Sequence, residues 1–119
     1  MKLSIIIPCF NEVRTIEKII EKIHLVQGIN KEIILVDDFS NDGSRELIQT
    51  KLKNKIDTLI LNEKNYGKGY SIIQAKKKIT GDIVIIQDAD LEYDPNDYKK
   101  LIDPIVNNRS NVVYGCLLY

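Results

Sequence analysis

"DIVIIQDADLEYDP", residues 82–95, begins as one kind of segment and ends as another. Ile83 to Ile86 form an unbroken apolar, β-branched run, which marks a strand buried on both faces. Acid then arrives at every second position, as Asp88, Asp90, Glu92 and Asp94. In extended backbone, residues two apart point the same way, so Asp88 and Asp90 converge, with the small Ala89 between them leaving room for a ligand. Carboxylates this close repel one another unless positive charge sits among them. Their spacing suits a hard divalent cation, Mg²⁺ or Mn²⁺, that also takes oxygens from a ligand's phosphates.

The same grammar recurs along the chain. "KLSIIIP" reads as a buried strand closed by Pro8, "EIILVDD" as a second ending in acid, and "IDTLILN" as a third. Helices are expected between them. Asn11 is a candidate N-cap for the first, with Ile16, Ile19, Ile20 and Ile23 at helical spacing and Gly28 as its stop. Ser44 is a candidate cap for a short helix to about Leu52. The loop "NYGKGYS" opens a helix that carries Ile72, Ile73 and Ala75 and ends by Gly81. After Pro95 a further helix is expected on Tyr98, Leu101, Ile102 and Ile105, and "NVVYGCLLY" begins a fifth strand. Alternating, continuously apolar strands predict an α/β domain: a mostly parallel sheet with helices on both faces. Ligands of such sheets bind beyond the carboxyl ends of the strands. "PCFNE", "VDDFSNDGS" and "QDADLE" all fall there.

Length and composition narrow the function. A chain of 119 residues fits one domain. Seventeen Lys plus Arg balance seventeen Asp plus Glu, so no global basic field recommends nucleic acid or an anionic membrane. Cys9 and Cys116 make no disulfide framework and read as reduced, partly buried thiols of a cytoplasmic protein. The only histidine, His24, lies in a helical pattern and reads as structural. "MKLSIIIPCFNE" has too short an apolar run for a signal peptide, and no window reaches transmembrane length. Asp94 before Pro95 reads as a helix cap, and Lys76 to Lys78 as a solvated helix end that complements the dipole. "GKG" at 67–69 lacks the spacing of a phosphate-binding P-loop.

Taken together, "IIIPCFNE", "ILVDDFSNDGS" and "NYGKGYSIIQAKKKITGDIVIIQDADLEYDP" resemble the family 2 glycosyltransferases of the GT-A fold. The closest similarity is to the branch of dolichyl-phosphate mannose synthases and polyprenyl-phosphate glycosyltransferases. The resemblance covers nearly the whole chain, in order. It implies sugar transfer from a nucleotide diphosphate sugar, with UDP or GDP as carrier and a polyprenyl phosphate among the acceptors. Pro8, Phe10 and Glu12 would cradle base and ribose; Asp38, beside Val36, would read the base; Gly67 and Lys68 would close near the nucleotide. Asp88, Ala89 and Asp90 match the family's DxD signature. Asp88 would meet the ribose or an ordered water, and Asp90 the metal and diphosphate. Glu92 stands where relatives often carry Gln, also near the metal. The resemblance further implies an acceptor half beyond Tyr119, so this chain reads as a truncated donor half. A fifth strand left as an edge, with apolar Leu117, Leu118 and Tyr119, would invite self-association. Work at a membrane surface is implied for such relatives, so a peripheral place at the inner face of the membrane is a further expectation.

Other classes fit less well. A phosphoacceptor receiver domain has acids at strand ends, and "ILVDD" resembles its opening pair. That pair belongs at the first strand, and the lysine expected at the fifth is missing. A sugar nucleotidyltransferase needs a Gly-rich basic loop after the first strand, which "PCFNEVRT" is not. A non-catalytic nucleotide-binding fragment of such an enzyme shares every donor-site residue, and only turnover separates it from the enzyme.

Overall fold

The computed structural model describes residues 2–89. Four strands, β1 (Lys2–Cys9), β2 (Asn30–Asp37), β3 (Thr58–Leu61) and β4 (Ile83–Ile86), form one sheet in the order β3-β2-β1-β4. Every pairing is parallel. The helices are α1 (Ile16–Leu25), α2 (Ser44–Leu47) and α3 (Lys68–Lys76); a π-helical turn, Ile48–Leu52, and a 3₁₀ turn, Lys53–Lys55, extend α2. The expected helix after Pro95, the fifth strand, Cys116 and the edge on which self-association depends lie outside the described residues.

The period-two alternation of strands sorts the apolar residues between two cores. Leu3, Ile5 and Ile7 of β1, Ile33 and Leu35 of β2, and Ile83 and Ile85 of β4 face α1, which contributes Ile16, Ile19, Ile20 and Ile23. Ile48 and Leu52 complete that side. Ile6, Ile34, Val36, Val84 and Ile86 face the other way, onto Ala75 of α3. Helices thus cover both faces, as the unbroken apolar runs require. Ile73, expected among the apolar residues of α3, is 56% exposed; Ser71 and Ala75 make its buried stripe instead.

Several boundary readings change. Asn11 does not cap α1. It sits at φ 54°, a left-handed conformation that Asn tolerates, and its Oδ1 accepts from the Asn41 backbone N–H across a loop. Thr15 holds the cap position of α1 without a side-chain cap bond. Ser44 is the first residue of α2, with left-handed Gly43 (φ 99°) before it; its hydroxyl donates to Asp42 Oδ1 (2.5 Å) and accepts from the Glu12 N–H (2.9 Å). Helix α1 ends at Leu25, before Gly28, which follows in a left-handed turn at φ 79°. The exposed His24 ring has its Nε2 2.8 Å from the Lys55 carbonyl oxygen.

At the amino end of the strands Glu32 is buried and accepts from the Ser4 hydroxyl (2.5 Å), the Thr80 backbone N–H (2.7 Å) and the Thr80 hydroxyl (2.9 Å). Burial works against its charge, but these bonds outweigh it and hold the carboxyl below the usual range. Gly81 is pressed against this cluster. A Cβ there would lie 2.5 Å from Ser4 Oγ, 2.7 Å from the Lys2 carbonyl oxygen and 2.9 Å from the Ser4 nitrogen. Gly81 is therefore required by close approach, several residues past the end of α3. Gly69, within α3, has open space around it. Gly81→Ala should destabilise the fold by about 1–3 kcal/mol, whereas Gly69→Ala should stabilise it by up to about 1 kcal/mol. Urea unfolding of both variants measures the contrast.

Candidate functional site

The chain winds outward from β1 to β2 to β3, then returns across the sheet to β4 on the other flank of β1. The crevice between β1 and β4 is a topological switch point, where ligands of such sheets bind. A cavity of about 230 Å³ opens there, lined by Pro8, Cys9, Phe10, Glu12, Asp38, Lys68, Ser71, Asp88 and Ala89. Register explains the convergence. Pro8 and Cys9 pair with Val36 and Asp37, so β1 and β2 leave the sheet at one level. The Asp38 N–H donates to the Cys9 carbonyl (2.8 Å), and the Gln87 N–H to the Ile6 carbonyl (2.8 Å), which brings Asp88 to the same edge.

The adjacent acids of β2 have different surroundings. Asp37 is fully buried. Its carboxylate accepts from Arg45 Nε (2.8 Å), the Ser40 hydroxyl (2.6 Å) and the Ser40 N–H (3.1 Å). Arg45 also donates to the Asn62 carbonyl and lies over the Phe39 ring. Asp37 therefore builds the turn after β2 and offers no oxygen to the cavity. Asp38 is 4% exposed and reaches the cavity. Its Oδ1 accepts from the Tyr66 N–H and the Asn62 side-chain amide, and its Oδ2 from the Gly67 N–H, each at 2.8 Å.

The loops after β1 and β2 are stitched together. The Asn11 N–H donates to Ser40 Oγ (2.9 Å), the Glu12 N–H to Ser44 Oγ (2.9 Å) and the Val13 N–H to Asp42 Oδ2 (3.2 Å). Burial disfavours charge on Asp42, but bonds from Ser44 and Val13 outweigh it and hold its carboxyl low. Thr15, which sequence reading did not single out, donates its hydroxyl to the Ala89 carbonyl and so ties the start of α1 to the acidic turn.

On the opposite wall Lys68 Nζ pairs with Asp88 Oδ1 at 2.6 Å, answering the need for positive charge beside the acids. Phe10 is 43% exposed, an apolar surface at the mouth. Ala89 is buried in the α1-side core and also floors the cavity. Val36 is fully buried on the α3 side and stands apart from the cavity lining, opposite Pro8 in register. Gly67 enters through its N–H to Asp38 and a left-handed φ of 98°. Asp90 and Glu92 lie outside the described residues. Cys9 and Ser71 line the cavity without having been foreseen. Burial, and after it the charges of Asp37 and Glu12, push the Cys9 thiol upward, so it stays protonated and is no nucleophile.

The model of the glycosyl transferase family 2 matches residues 4–119. The chain belongs to that family. A dolichol-phosphate mannosyltransferase from Pyrococcus furiosus is 36% identical over 117 residues; the match takes in 97% of this chain and 33% of that protein. This chain thus spans about a third of the length of that relative. Among solved structures, the mannosyltransferase PcManGT from Pyrobaculum calidifontis, in complex with GDP-Man and Mn²⁺, superimposes with a TM-score of 0.72 at 28% identity, over 86% of this chain and 32% of that one. Glucosyl-3-phosphoglycerate synthase from Mycobacterium tuberculosis, in complex with Mn²⁺, UDP and glucosyl-3-phosphoglycerate, superimposes with a TM-score of 0.71 at 26% identity, over 87% of this chain and 39% of that one. The fold of this family 2 chain is the GT-A glycosyltransferase fold.

Removing the cation from Asp37 should be costly, because a buried carboxylate would lose its only charged partner among the described residues. Arg45→Met is expected to destabilise the chain by about 3–5 kcal/mol, measured as a fall in the urea midpoint at unchanged slope.

Proposed function

We propose that this family 2 chain holds the nucleoside diphosphate sugar for a glycosyltransferase, and that the crevice between β1 and β4 is the donor site. The observation that carries this reading is the Lys68–Asp88 pair at 2.6 Å, set in a cavity with a half-exposed aromatic ring at its mouth. A nucleotide sugar presents a flat base, a ribose and a doubly charged diphosphate, and the lining offers one surface for each. Pro8, Phe10 and Glu12 suit the base and ribose. Asp38 is the acid to which family resemblance gives the reading of the base; Val36, which the resemblance sets beside it, stands outside the cavity lining. Gly67 and Lys68 belong to the loop that would close near the nucleotide, with Lys68 bringing a cation to the cavity. Asp88 and Ala89 form the floor, and Asp88 would meet the ribose or an ordered water.

The donor set suits Mg²⁺ or Mn²⁺. Asp88 supplies a hard oxygen at the cavity, and the sequence continues the series with Asp90 and Glu92. Asp90 and Glu92 would hold the ion, and when bound it would stabilise the negative charge of the departing diphosphate. The roles left to the chain's own groups are positional. Lys68 holds positive charge on the wall facing Asp88. The backbone around Phe10 orients the nucleoside, and the protonated Cys9 adds no competing nucleophile.

The name of the Pyrococcus relative supports a polyprenyl phosphate as acceptor. A phosphate oxygen already carries negative charge, so its attack on the anomeric carbon needs little help from a general base. Such an acceptor would bring the protein to a membrane surface. No helix among the described residues is long and apolar enough to cross one.

Calorimetric titration with UDP and with GDP, each with and without Mn²⁺, tests the reading on the chain and on Asp90→Asn. The expected outcome is metal-dependent binding of one nucleotide, weakened at least about tenfold in the variant. A folded chain that binds neither nucleotide overturns it.

A further inference from the structure

We propose that Asp38 is a positioning residue: its carboxylate fixes the loop between β3 and α3 and thereby sets where Lys68 stands against Asp88. The inference deepens the donor-site reading and rests on it for the ligand, though not for the geometry.

The geometry is a closed network of buried polar groups. Asp38 is anchored from behind, its N–H donating to the Cys9 carbonyl of β1. Its carboxylate takes two successive backbone N–H groups, those of Tyr66 and Gly67, at 2.8 Å each. Successive N–H groups converging on one point form an anion-binding nest, and here the chain's own carboxylate fills it. Asn62, buried at the end of β3, gives its amide to Asp38 (2.8 Å) and to Ser71 Oγ (3.1 Å). Ser71 in turn donates to the Gly67 carbonyl (3.1 Å), so the loop is held from both ends of one peptide segment. Gly67 is the cap residue of α3, and Lys68 is the first residue of that helix. A shift at Gly67 therefore moves the Lys68 backbone directly, and with it the ammonium 2.6 Å from Asp88.

An ionised carboxylate has about four acceptor positions. Three on Asp38 serve the loop and its neighbour Asn62. One acceptor position is left for reading a base, so the two roles can be told apart by substitution. Positioning and base reading make opposite demands on substitution. A base reader discriminates between bases and acts without Asn62. A positioning residue affects every nucleoside diphosphate alike, acts with Asn62, and loses its effect once Lys68 is gone.

The test uses the chain, Asp38→Asn, Asn62→Ala, Lys68→Met and the Asp38→Asn/Lys68→Met double variant, titrated with UDP and with GDP in the presence of Mn²⁺. Amide hydrogen exchange at Tyr66 and Gly67 is followed by NMR. Asp38→Asn and Asn62→Ala are each expected to speed exchange at both amides by roughly tenfold and to weaken whichever of the nucleotides bind by one common factor of about ten. In the Lys68→Met background the additional effect of Asp38→Asn on affinity should shrink to about twofold or less. Three results would overturn the proposal: unchanged exchange at Tyr66 and Gly67 in Asp38→Asn; a changed UDP-to-GDP preference in Asp38→Asn but not in Asn62→Ala; or an undiminished loss in the double variant. If Asp38→Asn does not fold, Asn62→Ala carries the exchange and affinity measurements alone. Should the unmodified chain bind neither nucleotide, the donor reading fails separately, and the exchange rates decide this one.

Discussion

Two adjacent carboxylates are buried at the end of one strand, and the carboxyl edge of the sheet is arranged around satisfying both. An ionised group out of water must be paired or hydrogen-bonded at every turn. Asp37 recruits Arg45 and Ser40 and so fixes the path of the chain after β2. Asp38 recruits Asn62, Tyr66 and Gly67 and so fixes the chain after β3. No buried side-chain nitrogen or oxygen among the described residues is left without a partner. The crevice is thus walled by loops whose shape follows from charge compensation.

Within that frame the charged pair on the cavity wall is less buried than the acids of β2. The Lys68 side chain is 46% exposed and that of Asp88 18%, against 0% for Asp37. An exposed pair contributes little to stability and exchanges partners readily. Held on rigid supports, Lys68 and Asp88 can change partners without the sheet moving. The stitched loops after β1 and β2 serve the same end from the other side, because Asn11, Glu12 and Val13 each give a backbone N–H to a side chain of the neighbouring loop.

The sheet and its two covered faces were readable because they follow from period and composition. Ile5, Ile34 and Ile85 sit in runs that only a doubly covered strand tolerates, and turn acids at their ends pointed to the ligand edge. Among the lining residues, Asp88 and Ala89 were readable from the spacing of the acids after β4, whereas Pro8, Phe10, Glu12, Asp38 and Lys68 were indicated by resemblance to the family alone. What escaped depends on approach between distant segments. Asn11 has the chemistry of a helix cap, and only the nearness of Asn41 makes it a loop-to-loop contact. Gly81 looked like a helix stop, and only contact with Ser4 shows its small size to be the requirement. Asp37 and Asp38 are the same residue type side by side. Strand alternation sends them opposite ways, but nothing local says that Arg45 awaits one and a nest of N–H groups the other. The roles of Thr15, Asn62 and Ser71 were not foreseen; they come from partners 4 to 74 residues away.

The position of β1 in the sheet has a kinetic side. β1 is the first strand in sequence and occupies an inner position, pairing on one flank with β2 and on the other with β4. Its second pairing joins segments about 80 residues apart, as in the bond from the Lys2 N–H to Asp82. Closing so long a loop is slow, and folding rates fall as contacts become less local. During synthesis the β1–β2–β3 side can form early, but the crevice has only one wall until β4 emerges and docks. Its ligand-facing groups are split between the first strand to be made and a much later one. A ligand held in the crevice therefore stabilises only chains in which β4 has docked against β1.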